Sequence, residues 1–133
     1  MIAGVADTHT ALWHLFDDER LSGPAGDFID KAATARRRIA VSAISLGEIV
    51  YLIEKNRLPP SVYDDLKVAL ADPHHVLKEA PVTVEIVDAL RRVPRVAVPD
   101  MPDRIVAATA VYFGVPVISR DGRIRTSSVQ TVW

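Results

Sequence analysis

Five short apolar runs punctuate the chain: Ile2–Ala6, Ile39–Ser42, Val76–Leu77, Val115–Ser119 and Val129–Trp133. The long stretches between them carry helical periodicity. Ala11, Leu12, Leu15 and Phe16 recur on one helix face, with Thr8 or Thr10 as the expected cap. Pro24 suits the first position of a helix reaching about Arg37, with Phe28, Ile29 and Ala32 turned inward. Ser45 is expected to cap a third helix, with Glu48 completing a Ser-x-x-Glu box; Ile49, Leu52 and Ile53 would face the core, and the helix would end near Asn56. A fourth spans Ser61 to Asp72, and Val84, Val87 and Leu90 mark a fifth that stops before Pro94. Arg104 to Phe113 is a sixth, apolar nearly all round and closed by Gly114-Val115-Pro116. Short strands alternating with helices specify a parallel sheet covered on both faces, joined by right-handed crossovers. Folds of this kind take ligands at the carboxyl ends of their strands.

At 133 residues, 49% of them apolar, the chain can bury a core without staples and is expected to form one domain over residues 1–133. Cysteine is absent, which excludes disulfides and a thiolate zinc site. No apolar run approaches a membrane span, and the first residues lack the pattern of a signal peptide, so a cytoplasmic location is expected. The formal net charge of −1 means that any nucleic-acid contact must rest on local patches.

Four carboxylates need explaining. Asp7 closes the first run, Asp121 follows the fourth after one residue, and Glu48 and Asp103 sit in or beside helices with apolar neighbours. Each has an ordinary reading. Asp7 would serve as a helix cap, Glu48 as the partner of Ser45, Asp103 as a first-turn acid on a helix dipole, and Asp121 as a turn residue. Gathered at one sheet edge, however, they would repel one another and favour a divalent cation. That chemistry points to metal-dependent hydrolysis of a phosphodiester.

The segments around these acids carry a family resemblance. Val5-Ala6-Asp7-Thr8-His9 with Ala11-Leu12-Trp13 resembles the opening of PIN domains, especially VapC-like toxins of bacterial toxin–antitoxin pairs. Ser42-Ala43-Ile44-Ser45-Leu46-Gly47-Glu48-Ile49 is similar to the second family motif, and Asp103-Arg104-Ile105-Val106-Ala107-Ala108-Thr109-Ala110 to the third. Val117-Ile118-Ser119-Arg120-Asp121 resembles the fourth, and Gln130-Thr131-Val132-Trp133 the closing edge strand. The resemblance implies a three-layer α/β/α sandwich with a central parallel sheet. It also implies Mg2+- or Mn2+-dependent endoribonuclease activity on RNA and homodimers bound by a cognate antitoxin. Carried over by position, Asp7, Glu48, Asp103 and Asp121 form its acidic cluster. Asp103 is preferred to Asp100 because it keeps the family spacing to Ala107-Ala108. Asp7 and Asp103 are assigned to direct coordination, with Glu48 and Asp121 acting through waters or at a second ion.

Thr8 and Ser119 are expected to support the acids or touch a phosphate, with capping as the ordinary alternative. Arg120 and Arg123 bracket Asp121 and have the fork geometry for an RNA phosphate. Arg36-Arg37-Arg38 and Arg91-Arg92 read as solvated helix ends. Trp13, Phe16 and Phe28 read as core. Val50, Tyr51 and Ile53 widen the third helix's apolar band, as a partner surface would. His9 and His14, five apart, do not share a helix face as metal ligands. Two other functions compete. A dehalogenase-type phosphatase would need an acid two residues after Asp7, where His9 stands. A non-catalytic module binding RNA or a partner would use the acids structurally.

Overall fold

The computed structural model describes all residues 1–133. Its strands are β1 (Ile2–Ala6), β2 (Arg38–Ser42), β3 (Leu77–Ala80), β4 (Val117–Ile118) and β5 (Thr131–Val132). They form one sheet in the order β3-β2-β1-β4-β5, with every pairing parallel. The helices are α1 (Thr8–Leu15), α2 (Gly23–Thr34), α3 (Ala43–Glu54), α4 (Ser61–Ala71), α5 (Val84–Ala89), α6 (Met101–Phe113) and α7 (Gly122–Arg125), with a 3-10 turn at Leu90–Arg92. From β1 the chain winds outward to β3, then crosses back to β4 on the far side of β1. Strand order therefore reverses between β1 and β4, which opens a crevice beyond their carboxyl ends.

Alternation along the strands divides the core in two. Ile39, Val41, Leu77 and Ile118 point toward Leu12, Ile29, Ile49 and Leu66 of α1 to α4. Val5, Ala40, Ala80 and Val117 point the other way, onto Ile86 of α5, Val106 and Ala110 of α6, and Ile124 of α7. The result is the three-layer α/β/α sandwich with a parallel sheet. β1 is apolar on both faces because helices cover both sides of the sheet, and its pairing with β2 shifts register between Ile2 and Gly4. At Gly4 a Cβ would stand 2.9 Å from the Phe28 ring, so the close approach of α2 requires glycine there. Residues 105–110 of α6 are buried all round, and Gly114 ends that helix with φ +67°.

Several local expectations are corrected. Asp7, not Thr8 or Thr10, caps α1, and Ser42, not Ser45, caps α3 through the Ile44 amide. Ser45 lies inside that helix, so the expected capping box does not form. In both places strand and helix abut without a loop, moving the cap to the strand's end. Helix α2 stops at Thr34 because Arg36 turns left-handed at φ 58°, which leaves Arg38 to open β2. Helix α6 begins at Met101, three residues early, since Pro102 fits its first turn. Helix α5 buries Ile86 and Ala89, while Val84 and Val87 are exposed. Phe16 is 47% exposed and belongs to no core, whereas Trp13 is buried. Helix α7 lacks enough residues for a periodic signal and went unforeseen.

Candidate functional site

A pocket of about 240 Å³ opens at the carboxyl edge of the sheet, lined by Asp7, Thr8, His9, Trp13, Glu48, Asp103, Arg120 and Asp121. Four chain segments, far apart in sequence, deliver its four carboxylates. Asp7 ends β1 and Asp121 follows β4, so the switch in strand order sets them side by side. Glu48 projects from α3 and Asp103 from the first turn of α6.

Hydrogen bonds hold three of these acids. Asp7 Oδ1 accepts from the Thr10 amide at 2.9 Å, and its Oδ2 accepts from the Ser119 hydroxyl at 2.5 Å. Ser119 Oγ in turn accepts from the Asp121 amide at 2.9 Å, tying the ends of β1 and β4 together. Thr10 adds a second tie by donating its hydroxyl to the Ile118 carbonyl. Glu48 Oε1 accepts from the Thr8 hydroxyl at 2.5 Å. Asp121 Oδ1 takes the Arg123 and Ile124 amides and caps α7. The ordinary roles of Asp7 and Asp121 are thus real, and they coexist with membership of the pocket.

Asp103 differs from the other three. Burial, and then the charges of Asp121, Asp100, Glu48 and Asp7, push its carboxyl up to about 7. A carboxyl raised this far marks a place shielded from water in which negative charges also crowd. Asp100 adds to that repulsion from the helix start but does not line the pocket, whereas Asp103 does. The one arginine or lysine in the lining is Arg120, held 4.6 Å over the Trp13 ring. Arg123 contributes its backbone amide to Asp121, and its side chain does not reach the lining. Trp13 and His9, whose rings lie 5.7 Å apart, are lining residues that the sequence reading placed elsewhere. Their mutual spacing of four residues, which sets both on one face of α1 just after Asp7, was the available signal.

No group of three or more acidic or histidine side chains stands close enough together to hold a metal ion between them. An all-oxygen set of this kind nevertheless fits magnesium or manganese, because such ions take one or two carboxylates directly and keep several waters. Beside the pocket lies a larger groove of about 580 Å³. Leu12, Phe16, Tyr51, Leu52, Leu58 and Val62 line it, and it shares His9, Trp13 and Glu48 with the acidic site.

A doubly wound parallel sheet whose carboxyl edge gathers acids from four segments defines an α/β sandwich with an acidic crevice. The PIN domain family matches this chain over residues 5–127, and the chain belongs to that family. It is 30% identical to Ribonuclease VapC22 of Mycobacterium tuberculosis over 131 residues, 95% of this chain and 92% of the relative. Its fold is similar to VapBC2 from Rickettsia felis, solved bound to a promoter DNA fragment, with a TM-score of 0.67 at 15% identity over all of both chains. A toxin–antitoxin complex from Klebsiella pneumoniae gives a TM-score of 0.63 at 18% identity, covering 98% of this chain and 97% of the other. No helix is long and apolar enough to cross a membrane.

Proposed function

We propose that residues 1–133 form a single PIN domain acting as a metal-dependent endoribonuclease, the toxin of a cytoplasmic toxin–antitoxin pair. The observation that carries this reading is the convergence of Asp7, Glu48, Asp103 and Asp121 on one pocket, where burial and then the neighbouring carboxylates push the Asp103 carboxyl up to about 7. Likeness to a protein named a ribonuclease supports the choice of RNA as substrate. Bound Mg2+ or Mn2+ would supply Lewis acidity at the phosphoryl oxygens and lower the pKa of water near the scissile bond. Asp7 and Asp103 are the residues to hold it, with Glu48 and Asp121 ordering waters around it.

The remaining residues position these. Ser119 fixes the rotamer of Asp7, and Thr8 fixes that of Glu48. Trp13 holds the Arg120 fork at the pocket, where it can take two oxygens of a substrate phosphate. The groove beside the pocket fits the apolar face of an antitoxin helix, and its rim residues Phe16 and Tyr51 are exposed. A homodimer completes the proposal.

The test is cleavage of structured RNA by the purified protein with Mg2+ or Mn2+, repeated with excess chelator. Asp103→Asn and Glu48→Gln should each lose at least about 100-fold in rate while remaining folded. The hydrogen bonds that commit Asp7 and Asp121 to helix caps favour one other reading, a non-catalytic module that binds RNA or a partner. RNA binding without cleavage in any metal, unchanged in Asp103→Asn, would establish that module and end the nuclease reading.

A further inference from the structure

Opposite the acidic pocket, at the amino edge of the sheet, lies a second polar cavity of about 470 Å³. Its lining is Ala33, Arg36, Arg37, Arg38, Pro73, His74, His75 and Val76. Three arginines and two histidines share it, and no carboxylate lines it. The one ion pair in the chain joins Arg20 to Asp18, so none of these three guanidinium groups is neutralised by an acid. The nearest acid along the loop, Asp72, turns its carboxylate to the His74 amide.

The backbone around the cavity is fastened rather than loose. Arg36 holds φ 58°, a left-handed conformation that favours glycine, and the Arg37 amide reaches back to the Ala32 carbonyl at 2.8 Å. This turn carries the chain from α2 into β2, and Arg36, Arg37 and Arg38 all line the cavity. Arg38 Nη2 donates to the Leu77 carbonyl at 2.9 Å, which locks its guanidinium across the start of β2 and β3. Its Nε is buried and has no acceptor in the protein. The Leu77 amide donates to His75 Nδ1 at 3.0 Å. The His75 ring also stands edge-on to His14, with ring centroids 6.2 Å apart.

We propose that this cavity is a phosphoryl-oxyanion site, taking either a phosphate of an RNA backbone or a free phosphate or mononucleotide. Guanidinium groups that no carboxylate neutralises are hydrogen-bond donors carrying positive charge, and phosphoryl oxygens are their complement. β2, five residues long, separates the two cavities by about 16 Å at roughly 3.3 Å per residue. A ligand here would therefore not compete for the acidic pocket, and the site stands whether or not the chain cleaves RNA.

Two titrations of the full chain in chelator test this, neither requiring turnover. Inorganic phosphate should shift the backbone amide resonances of Arg37, His74 and His75 saturably, with a dissociation constant on the order of millimolar. Arg36→Gln combined with Arg37→Gln, two exposed side chains, should weaken that binding at least about five-fold. With single-stranded RNA, the same double variant should flatten the slope of log K against log salt by about 1.4, the loss of two backbone contacts. Both effects together assign an RNA backbone phosphate. Phosphate saturation with an unchanged RNA slope assigns a free phosphate or mononucleotide. If wild-type shifts fail to saturate, or centre on Arg120 instead, and the RNA slope is also unchanged, the proposal is overturned.

Discussion

Replacing Asp103 with Asn should make the metal-free protein more stable at pH 8 while leaving it nearly unchanged at pH 4. The folded protein holds the Asp103 proton up to about 7, against an ordinary 3.8. Below pH 4 both folded and unfolded chains carry the proton, and the site costs nothing. Between pH 4 and 7 the unfolded chain has released it and the folded chain has not, so stability falls as pH rises. Above 7 the full penalty is present. For a fully buried group that difference would be worth about 4 kcal/mol. Asp103 is only half-buried, and solvent screening together with the favourable dipole at the start of α6 reduces it to about 1–2 kcal/mol. Asparagine keeps the shape and removes the charge, and Asp103 makes no hydrogen bond that the change would break. Urea unfolding followed by circular dichroism, in chelator, should show the variant's midpoint raised by roughly 0.5–1 M at pH 8. The same variant should be inactive on RNA. Equal midpoints at pH 8, or a variant less stable there, would show that neither burial nor the neighbouring carboxylates disfavour the ionised Asp103.

Three further outcomes follow from named contacts. Gly4→Ala should cost about 1–3 kcal/mol and lower the melting temperature, because the new Cβ meets the Phe28 ring at 2.9 Å and the Pro116 carbonyl at 3.3 Å; combining it with Phe28→Leu should recover part of the loss. Ser119→Ala should cost about 1–3 kcal/mol by stranding Asp7 Oδ2 and the Asp121 amide, and thermal unfolding with and without the substitution measures it. Thr8→Val frees Glu48 while keeping side-chain volume, so cleavage rate should fall about 10-fold with stability changed by less than about 1 kcal/mol, as paired kinetics and unfolding would show.

Much of the architecture was written in local pattern. Runs such as Ile2–Ala6, the all-round apolar stretch 105–110 and the stop at Gly114 specify strands, a buried helix and its end, because side-chain periodicity follows directly from backbone geometry. The four acids were legible too, since a carboxylate at a strand's end or within an apolar helix stands out against its neighbours. Their ordinary and pocket-lining roles could not be separated from sequence, and the structure gives Asp7 and Asp121 both.

Tertiary structure decided the rest. The placing of β4 beside β1, which brings Asp121 to Asp7, depends on contacts more than a hundred residues apart. The shift of caps from Ser45 to Ser42 and from Thr8 to Asp7 arises because strand and helix join directly, a matter of how α1 and α3 pack. Helix α5 carries apolar residues on two sides, and only its neighbour α6 selects Ile86 and Ala89 over Val84 and Val87. Arg36-Arg37-Arg38 looked like a helix end until Arg38 entered β2 and met the loop before β3, leaving a donor with nothing to bond. Local sequence sets what each segment can bury or bond. Which of those options is used depends on the surface that long-range packing brings against it.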